Sequence, residues 1–189
     1  MRNSEKDVCR NMCLAKFGEK MLPLAFARQK AASVSEKDPA GRFSVNIYEF
    51  VQYSLDQGNF DLIVKYQKFN LALATDLFFF DRVVSDYAAA VSKLALSHLP
   101  SNGPPAPCSE KETARIKKAL YIFQLLHYIF FRGHSRTNMD EISRDSGWFH
   151  FWKRFAPWEM QQVRCVQELL AEHISKGIYN RLQIYQRVC

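Results

Sequence analysis

An all-α fold is what this sequence predicts, and three observations predict it. Apolar residues recur at helical spacing along nearly the whole chain, and strand-like alternation is almost absent. Two segments also open with capping-box spacing, Asn46 with Glu49 and Ser109 with Glu112. Composition agrees: 48% of the 189 residues are apolar and 26 are aromatic, enough to build one sizeable core without metals or disulfides. The expected architecture is a single domain over residues 1–189. Six to eight helices form an irregular bundle around a central apolar helix at about 110–132.

The elements follow in order. Val8, Met12 with Cys13, and Phe17 make a first stripe that Gly18 stops. A second helix carries Pro23 in its first turn, where a missing N–H costs nothing, and runs to about Ser33. Glu36 to Gly41, with Asp38-Pro39, reads as a loop. Ile47, Phe50, Val51 and Leu55 fit a helical face that outweighs the strand-like alternation of Phe43, Val45 and Ile47. Gln57-Gly58 ends that helix, and Asn59 can cap the next. From residue 60 to 97 the stripe Leu62, Tyr66, Phe69, Leu73, Leu77, Phe80, Val84, Tyr87, Val91, Leu94 meets no Gly or Pro. One straight helix of that length would measure about 57 Å, against a compact chain's diameter of about 40 Å. A kink or break is therefore expected around Thr75-Asp76 or Asp81.

Residues 98–108 gather four prolines and a glycine and form the expected crossover connector. Ser109 then opens the helix whose stretch Ala119–Phe131 is apolar except for Gln124 and His127, the pattern of a buried central helix. Phe123 and Leu126 are assigned to the interior, and Gly133 stops the helix. After an irregular segment to Gly147 come a short aromatic helix to about Ala156 and a helix opened by Pro157. The latter passes Cys165, Leu169 and Ile174, with Gly177 as its expected C-cap. A last amphipathic piece holds Ile178, Leu182, Tyr185 and Val188.

Charge and cysteines bound the setting. The net charge is +7, of which +2 falls in residues 1–108 and +5 in residues 109–189, with no run of five basic residues. That is a weak electrostatic footprint for nucleic acid. No apolar run reaches the ~20 residues of a membrane span. Charged residues before position 20 leave no signal peptide, so an intracellular address is expected. Cys9, Cys13, Cys108, Cys165 and Cys189 are odd in number and read as reduced thiols.

Chemistry is sparse. Phosphate-loop, dinucleotide, zinc-protease and nucleophile-elbow motifs are all missing. Catalytic, cofactor-binding and metal-ligating residues are accordingly assigned to none. Cys9 and Cys13 share a helix face and read as small apolar side chains at an interface rather than half a zinc site. His134 has no carboxylate partner at motif spacing and reads as a solvated loop residue. Asp140, Glu141 and Asp145 read as exposed or capping. His127 reads as a core histidine bonded to a backbone carbonyl or a buried polar group.

The densest feature is aromatic. Trp148, Phe149, Phe151, Trp152, Phe155 and Trp158 fall within eleven residues, interleaved with His150, Lys153 and Arg154. On a helix, Trp148, Phe151, Trp152 and Phe155 share one side. The simplest reading is a wedge that locks the last helices onto the central one. The functional reading is a partly exposed anchor for a partner protein, carried by Trp148, Trp152, Lys153, Arg154 and Trp158. A third is base stacking.

Ala119-Leu120-Tyr121-x-Phe123, then Phe149-x-Phe151 ahead of Phe155-Ala-Pro157-Trp158-Glu159-x-Gln161-x-x-x-Cys165-Val166, resembles a largely uncharacterised group of filamentous-fungal proteins, many of them F-box-like. Leu22-Pro23-Leu24-Ala25 and the region up to Tyr87-Ala88 are similar to that group's middle part. The resemblance spans residues 20–170 and implies a helical C-terminal region of the F-box-like type. The Leu-Pro-x-Glu motif that opens an F-box is absent, and no catalytic residue carries over. The expected role is a non-enzymatic, intracellular interaction or adaptor module with a protein partner. The alternatives are an enzyme or accessory factor of fungal metabolism with a hydrophobic pocket between helices, and a weak basic nucleic-acid binder.

Overall fold

The computed structural model describes residues 2–37, 45–55, 64–65, 67–98, 107–131 and 146–188. These contain six helices and, among the described residues, no strand: α1 (Arg2–Lys37), α2 (Ile47–Leu55), α3 (Leu71–Ser97), α4 (Glu110–Leu126), α5 (Ser146–Trp152) and α6 (Pro157–Val188). The fold is all-α. A single π-helical turn, His127–Phe131, extends α4. The expected loop at 38–41, the ends Gln57-Gly58 and Asn59, most of the 98–108 connector, and Gly133 lie outside the described residues.

The α1 range is two helical pieces meeting at Gly18, whose φ of 64° and ψ of 176° are non-helical. Nothing lies within 4 Å of where a Cβ would stand, so the backbone angle, not space, is what favours glycine there. Pro23 sits inside the second piece. The carbonyl it leaves without a helical donor belongs to Glu19, next to the break, so it costs less than a mid-helix proline.

Capping decides where three helices begin. Asn46 Oδ1 accepts from the Tyr48 and Glu49 N–H groups at 2.9 and 3.3 Å. Ser109 and Glu112 make the full reciprocal box on α4. Asn70, in extended conformation, accepts from Leu73 N–H at 2.8 Å and starts α3. Asn70 corrects the expectation of a helix from residue 60 broken near Thr75-Asp76 or Asp81. The break falls at residues 67–70, and α3 runs through Thr75, Asp76 and Asp81 without interruption. At 27 residues it is about 40 Å long and fits the molecule. Replacing Asn70 by alanine should cost about 1 kcal/mol, read as a lower denaturant midpoint with unchanged slope.

The buried line of α3 also differs from its apolar stripe. It is Ala74, Leu77, Asp81, Val84, Ala88, Val91 and Ser92, while Tyr87 is 45% exposed. Small Ala74 and Ala88 let neighbouring helices approach closely, and the larger side chains flank that line. Helix α4 packs on α1, α3 and α6, as expected of a central helix. Its buried residues include Leu120, Tyr121, Ile122, Leu125 and Leu126; Phe123 is half-buried. Helix α2 rests on α1 and α5.

In the π-helical turn Tyr128, Ile129 and Phe130 are consecutive and all buried. They face different neighbours, for the turn sits between α1, which it contacts, and the rings of α5. Buried Ser35 donates to the Tyr128 carbonyl at 3.2 Å, satisfying an acceptor in this irregular turn. His127 is exposed, with its ring against Tyr128, which corrects its reading as a core histidine. Helix α6 passes through Gly177 to Val188, so Gly177 is not a C-cap and the last amphipathic piece belongs to the same helix.

Candidate functional site

The α5–α6 elbow is assembled from its local chemistry upward. Helix α5 ends at Trp152, earlier than the expected Ala156. A turn follows in which the Lys153, Arg154 and Phe155 N–H groups donate to Phe149, Phe151 and Trp152 carbonyls at 3.0–3.1 Å. Pro157 occupies the first turn of α6. The Glu159 carboxylate reaches back to the Ala156 N–H at 2.9 Å, as the third residue of a helix does in a capping box. Glu159 also pairs with Lys118, which ties the elbow to α4.

Inside the elbow the rings form an edge-to-face cluster. Phe151 is fully buried, with its centroid 5.8 Å from Phe130, 5.4 Å from Trp152 and 5.1 Å from Phe155. Trp148 packs on Phe130 at 5.2 Å and on Trp152 at 5.8 Å. Both tryptophans are half-buried, and the Trp152 ring N–H is buried without a hydrogen-bond acceptor among the described residues.

The five candidate binding residues therefore separate. Trp148 and Trp152 belong to the wedge, Arg154 is half-buried, and Lys153 and Trp158 point outward, Trp158 being 68% exposed. Phe149, on the outer side of α5, is 61% exposed. Beside it the His150 ring lies against Tyr48 of α2 at 4.7 Å, and Tyr48 is itself partly open to solvent.

A second polar feature was not singled out as a site from sequence. The Asp81 carboxylate is buried in α3 and receives Lys16 of α1 at 3.2 Å and Lys117 of α4 at 3.4 Å. The buried Tyr121 hydroxyl lies near it without reaching hydrogen-bond geometry. Burial first, and the Asp81 charge second, raise the Tyr121 pKa far above the ordinary tyrosine value. One turn away the Arg28 guanidinium stacks 3.6 Å over Phe80, pairs with Asp76 at 3.9 Å and donates to the Tyr128 hydroxyl at 3.4 Å. The overlooked signal was an acid on the buried heptad line Leu77, Asp81, Val84, Ala88, Val91. Asp81, Lys16, Lys117 and Arg28 join three helices and line neither apolar cavity of the α3, α4 and α6 seam.

Cys9, Cys13, Cys108 and Cys165 are free thiols. Cys9 and Cys13 are buried, and burial, with Cys9 nearby, pushes the Cys13 thiol up to about 11. A protonated, enclosed thiol is a poor nucleophile and a poor metal ligand. No metal-binding cluster occurs among the described residues. His134, Asp140, Glu141 and Asp145 lie outside them.

Glu112 accepts from the Ser109 N–H at 2.9 Å and the Ser109 hydroxyl at 2.6 Å. The hydroxyl bond, more than any other cause, holds its pKa below the usual 4.5. A depressed carboxyl stabilises the fold above its unfolded pKa, and that stability is lost as pH falls through the folded value. Thermal melts of wild type should therefore fall more steeply below about pH 4.5 than those of Glu112→Gln.

Apolar cavities lie along the seam where α3, α4 and α6 meet. One, of about 400 Å³, is walled by residues such as Val91, Ala95, Ile116 and Leu169, with Cys108 and Cys165 among its lining. Another, of about 210 Å³, lies between the same three helices beside Val84, Leu120 and Leu170.

Fold and surface together define an all-helical protein with an aromatic elbow and an apolar inter-helix seam. No helix among the described residues is long and apolar enough to cross a membrane. Comparison with protein-family models, with curated proteins and with solved structures finds no match for this chain.

Proposed function

We propose that this chain is a non-enzymatic, intracellular protein-interaction module, similar in role to the recognition region of fungal F-box-like proteins. The α5–α6 elbow is its contact surface. One observation carries the reading: Trp158 stands 68% exposed between two residues that have structural work to do. Pro157 starts the helix and Glu159 caps it, whereas Trp158 contributes little to the interior. Phe149, outward on α5, and Lys153 between them complete a surface of aromatic anchors beside a cation. Exposed aromatic rings are the anchors of binding hot spots, and a lysine suits the polar rim around them.

The test is affinity purification from a filamentous-fungal extract with mass spectrometry, using wild type and Trp158→Ala. Trp158→Ala should melt like wild type, because an exposed ring is removed. It should lose a defined subset of the retained proteins, a hot-spot truncation weakening binding by about 30-fold or more. Recovery of ubiquitin-ligase subunits in that subset would support the F-box-like reading. Identical sets of proteins from both baits would overturn the assignment.

A further inference from the structure

We propose that the larger cavity between α3, α4 and α6 takes up a small, uncharged, apolar α,β-unsaturated ketone, which the Cys165 thiol captures covalently. None of the elbow's outward residues takes part, so this site is independent of the adaptor reading.

The walls set the first requirement. Val91, Ala95, Leu96, Ile116, Val166 and Leu169 present hydrocarbon to a space of about 400 Å³. That volume lies at the lower end of the ~300–1,000 Å³ range of ligand pockets and suits a small molecule. The Ser92 hydroxyl in the lining already donates to the Ala88 carbonyl at 2.7 Å, so it asks nothing of a ligand.

The mouth sets the second. Glu112 and Arg115 are both exposed, stand one turn apart on α4 and line the cavity together. Opposite in charge, they attract each other. An anion drawn to Arg115 would be repelled by Glu112, and a cation drawn to Glu112 would be repelled by Arg115. Either would also shed water on entering. An uncharged ligand meets neither cost.

The thiols set the third. Of the four described cysteines Cys165 alone is exposed, and it lines this cavity, which places it at the mouth. The Gln161 amide N–H donates to its sulfur at 3.9 Å and is placed to stabilise the negative charge of an attacking thiolate. Cys108, also in the lining, is half-buried and donates its S–H to Glu112 at 3.9 Å instead. A sulfur nucleophile beside hydrocarbon walls matches a carbon electrophile carried on an apolar chain.

In the capture step the Cys165 thiol gives its proton to water, and its sulfur forms a bond to the β-carbon. The C=C π pair shifts so that negative charge collects on the carbonyl oxygen as an enolate. The half-buried Gln162 amide, in the same lining, supplies N–H donors for that oxygen. Water then protonates the α-carbon. The adduct is thiol plus ketone, with no leaving group and no oxidant.

The test compares ethyl vinyl ketone with hexyl vinyl ketone on the purified chain, with N-acetylcysteine as the free-thiol reference and adducts mapped by peptide mass. Cys165 should be modified before Cys108. Its hexyl-to-ethyl rate ratio should exceed that of N-acetylcysteine by about tenfold or more, each buried methylene contributing up to about fourfold. The gain should vanish when the hexyl chain ends in a carboxylate or an ammonium, and when the protein is unfolded in urea. Ala95→Trp, which fills the cavity, should remove the gain while Cys165 still reacts with the ethyl ketone as in wild type. The hexyl-to-ethyl comparison and its loss in urea need wild type only, so the result stays readable if the tryptophan variant does not fold.

Equal ratios for Cys165 and N-acetylcysteine would overturn the proposal, because Cys165 would then be an ordinary surface thiol. So would first addition at Cys108, or a gain that survives a charged end on the hexyl chain.

Discussion

Phe151→Ala should lower stability by about 3–5 kcal/mol, the largest effect expected of a single substitution in the elbow. The ring is fully buried against Phe130, Trp152 and Phe155, and the first two of these also support Trp148. Its removal leaves a void that four large rings cannot close without giving up their edge-to-face geometry. Helix α5 has seven residues, too few to persist once it no longer packs. For a chain of this size the loss corresponds to a fall of about 6 °C or more in Tm. Trp148 and Trp152 gain water, so tryptophan emission should shift to the red, and near-ultraviolet circular dichroism should weaken. Phe151→Leu, which keeps most of the volume, should lose less than half as much. An unchanged melt for Phe151→Ala would remove the elbow from the core.

Asp81→Ala should cost about 2–4 kcal/mol. Breaking a fully buried ion pair costs roughly 3–5 kcal/mol, because the remaining charge is left in a poor solvent. Here the figure is reduced, since the Lys16 side chain is 50% exposed and that of Lys117 25% exposed. Lys16 can swing into water along its aliphatic stem, whereas Lys117 has less room to do so. The double variant Asp81→Ala/Lys117→Met should therefore recover part of the loss, about 1 kcal/mol, in denaturant unfolding. If Asp81→Ala cost no more than about 0.5 kcal/mol, as a surface change does, the carboxylate would not be what joins α1, α3 and α4. Tyr121 adds to the picture, for its hydroxyl is buried beside this carboxylate, and burial first, with the Asp81 charge second, suppresses its ionisation.

The elbow and the seam place two different chemistries on one helical frame. In the elbow, aromatic rings are divided between an inner set that holds α5 against the π-helical turn and an outer set that faces solvent. In the seam, three helices leave apolar space with the Cys108 and Cys165 thiols in its lining. Helix α6 links them: Trp158 belongs to the elbow, and Cys165, Val166 and Leu169 are among the residues that line the cavity.

How much of this could be read in advance depended on how local the cause was. Ser109 with Glu112, Asn46, Gly18 and Pro157 act through hydrogen bonds or backbone angles within four residues, and each marks a boundary that the structure has. The inward side of Trp148, Phe151, Trp152 and Phe155 was likewise legible, because helical spacing alone puts them together. Asn70 follows the same local rule but was overridden by an unbroken apolar stripe on both sides of it. Gly177 shows the reverse, since a glycine is permitted to end a helix but is not obliged to.

Local hydrogen bonding and the 3.6-residue period were thus determined by the sequence itself: the helical class, the starts of α2, α4 and α6, and the shared face of the α5 rings. Tertiary structure alone decided the rest. It set which side of α3 is buried, that His127 faces out, that Asp81 meets two lysines, and that α3, α4 and α6 leave an apolar seam between them. These depend on residues far apart in the chain meeting across helices, and helix period is blind to what stands opposite.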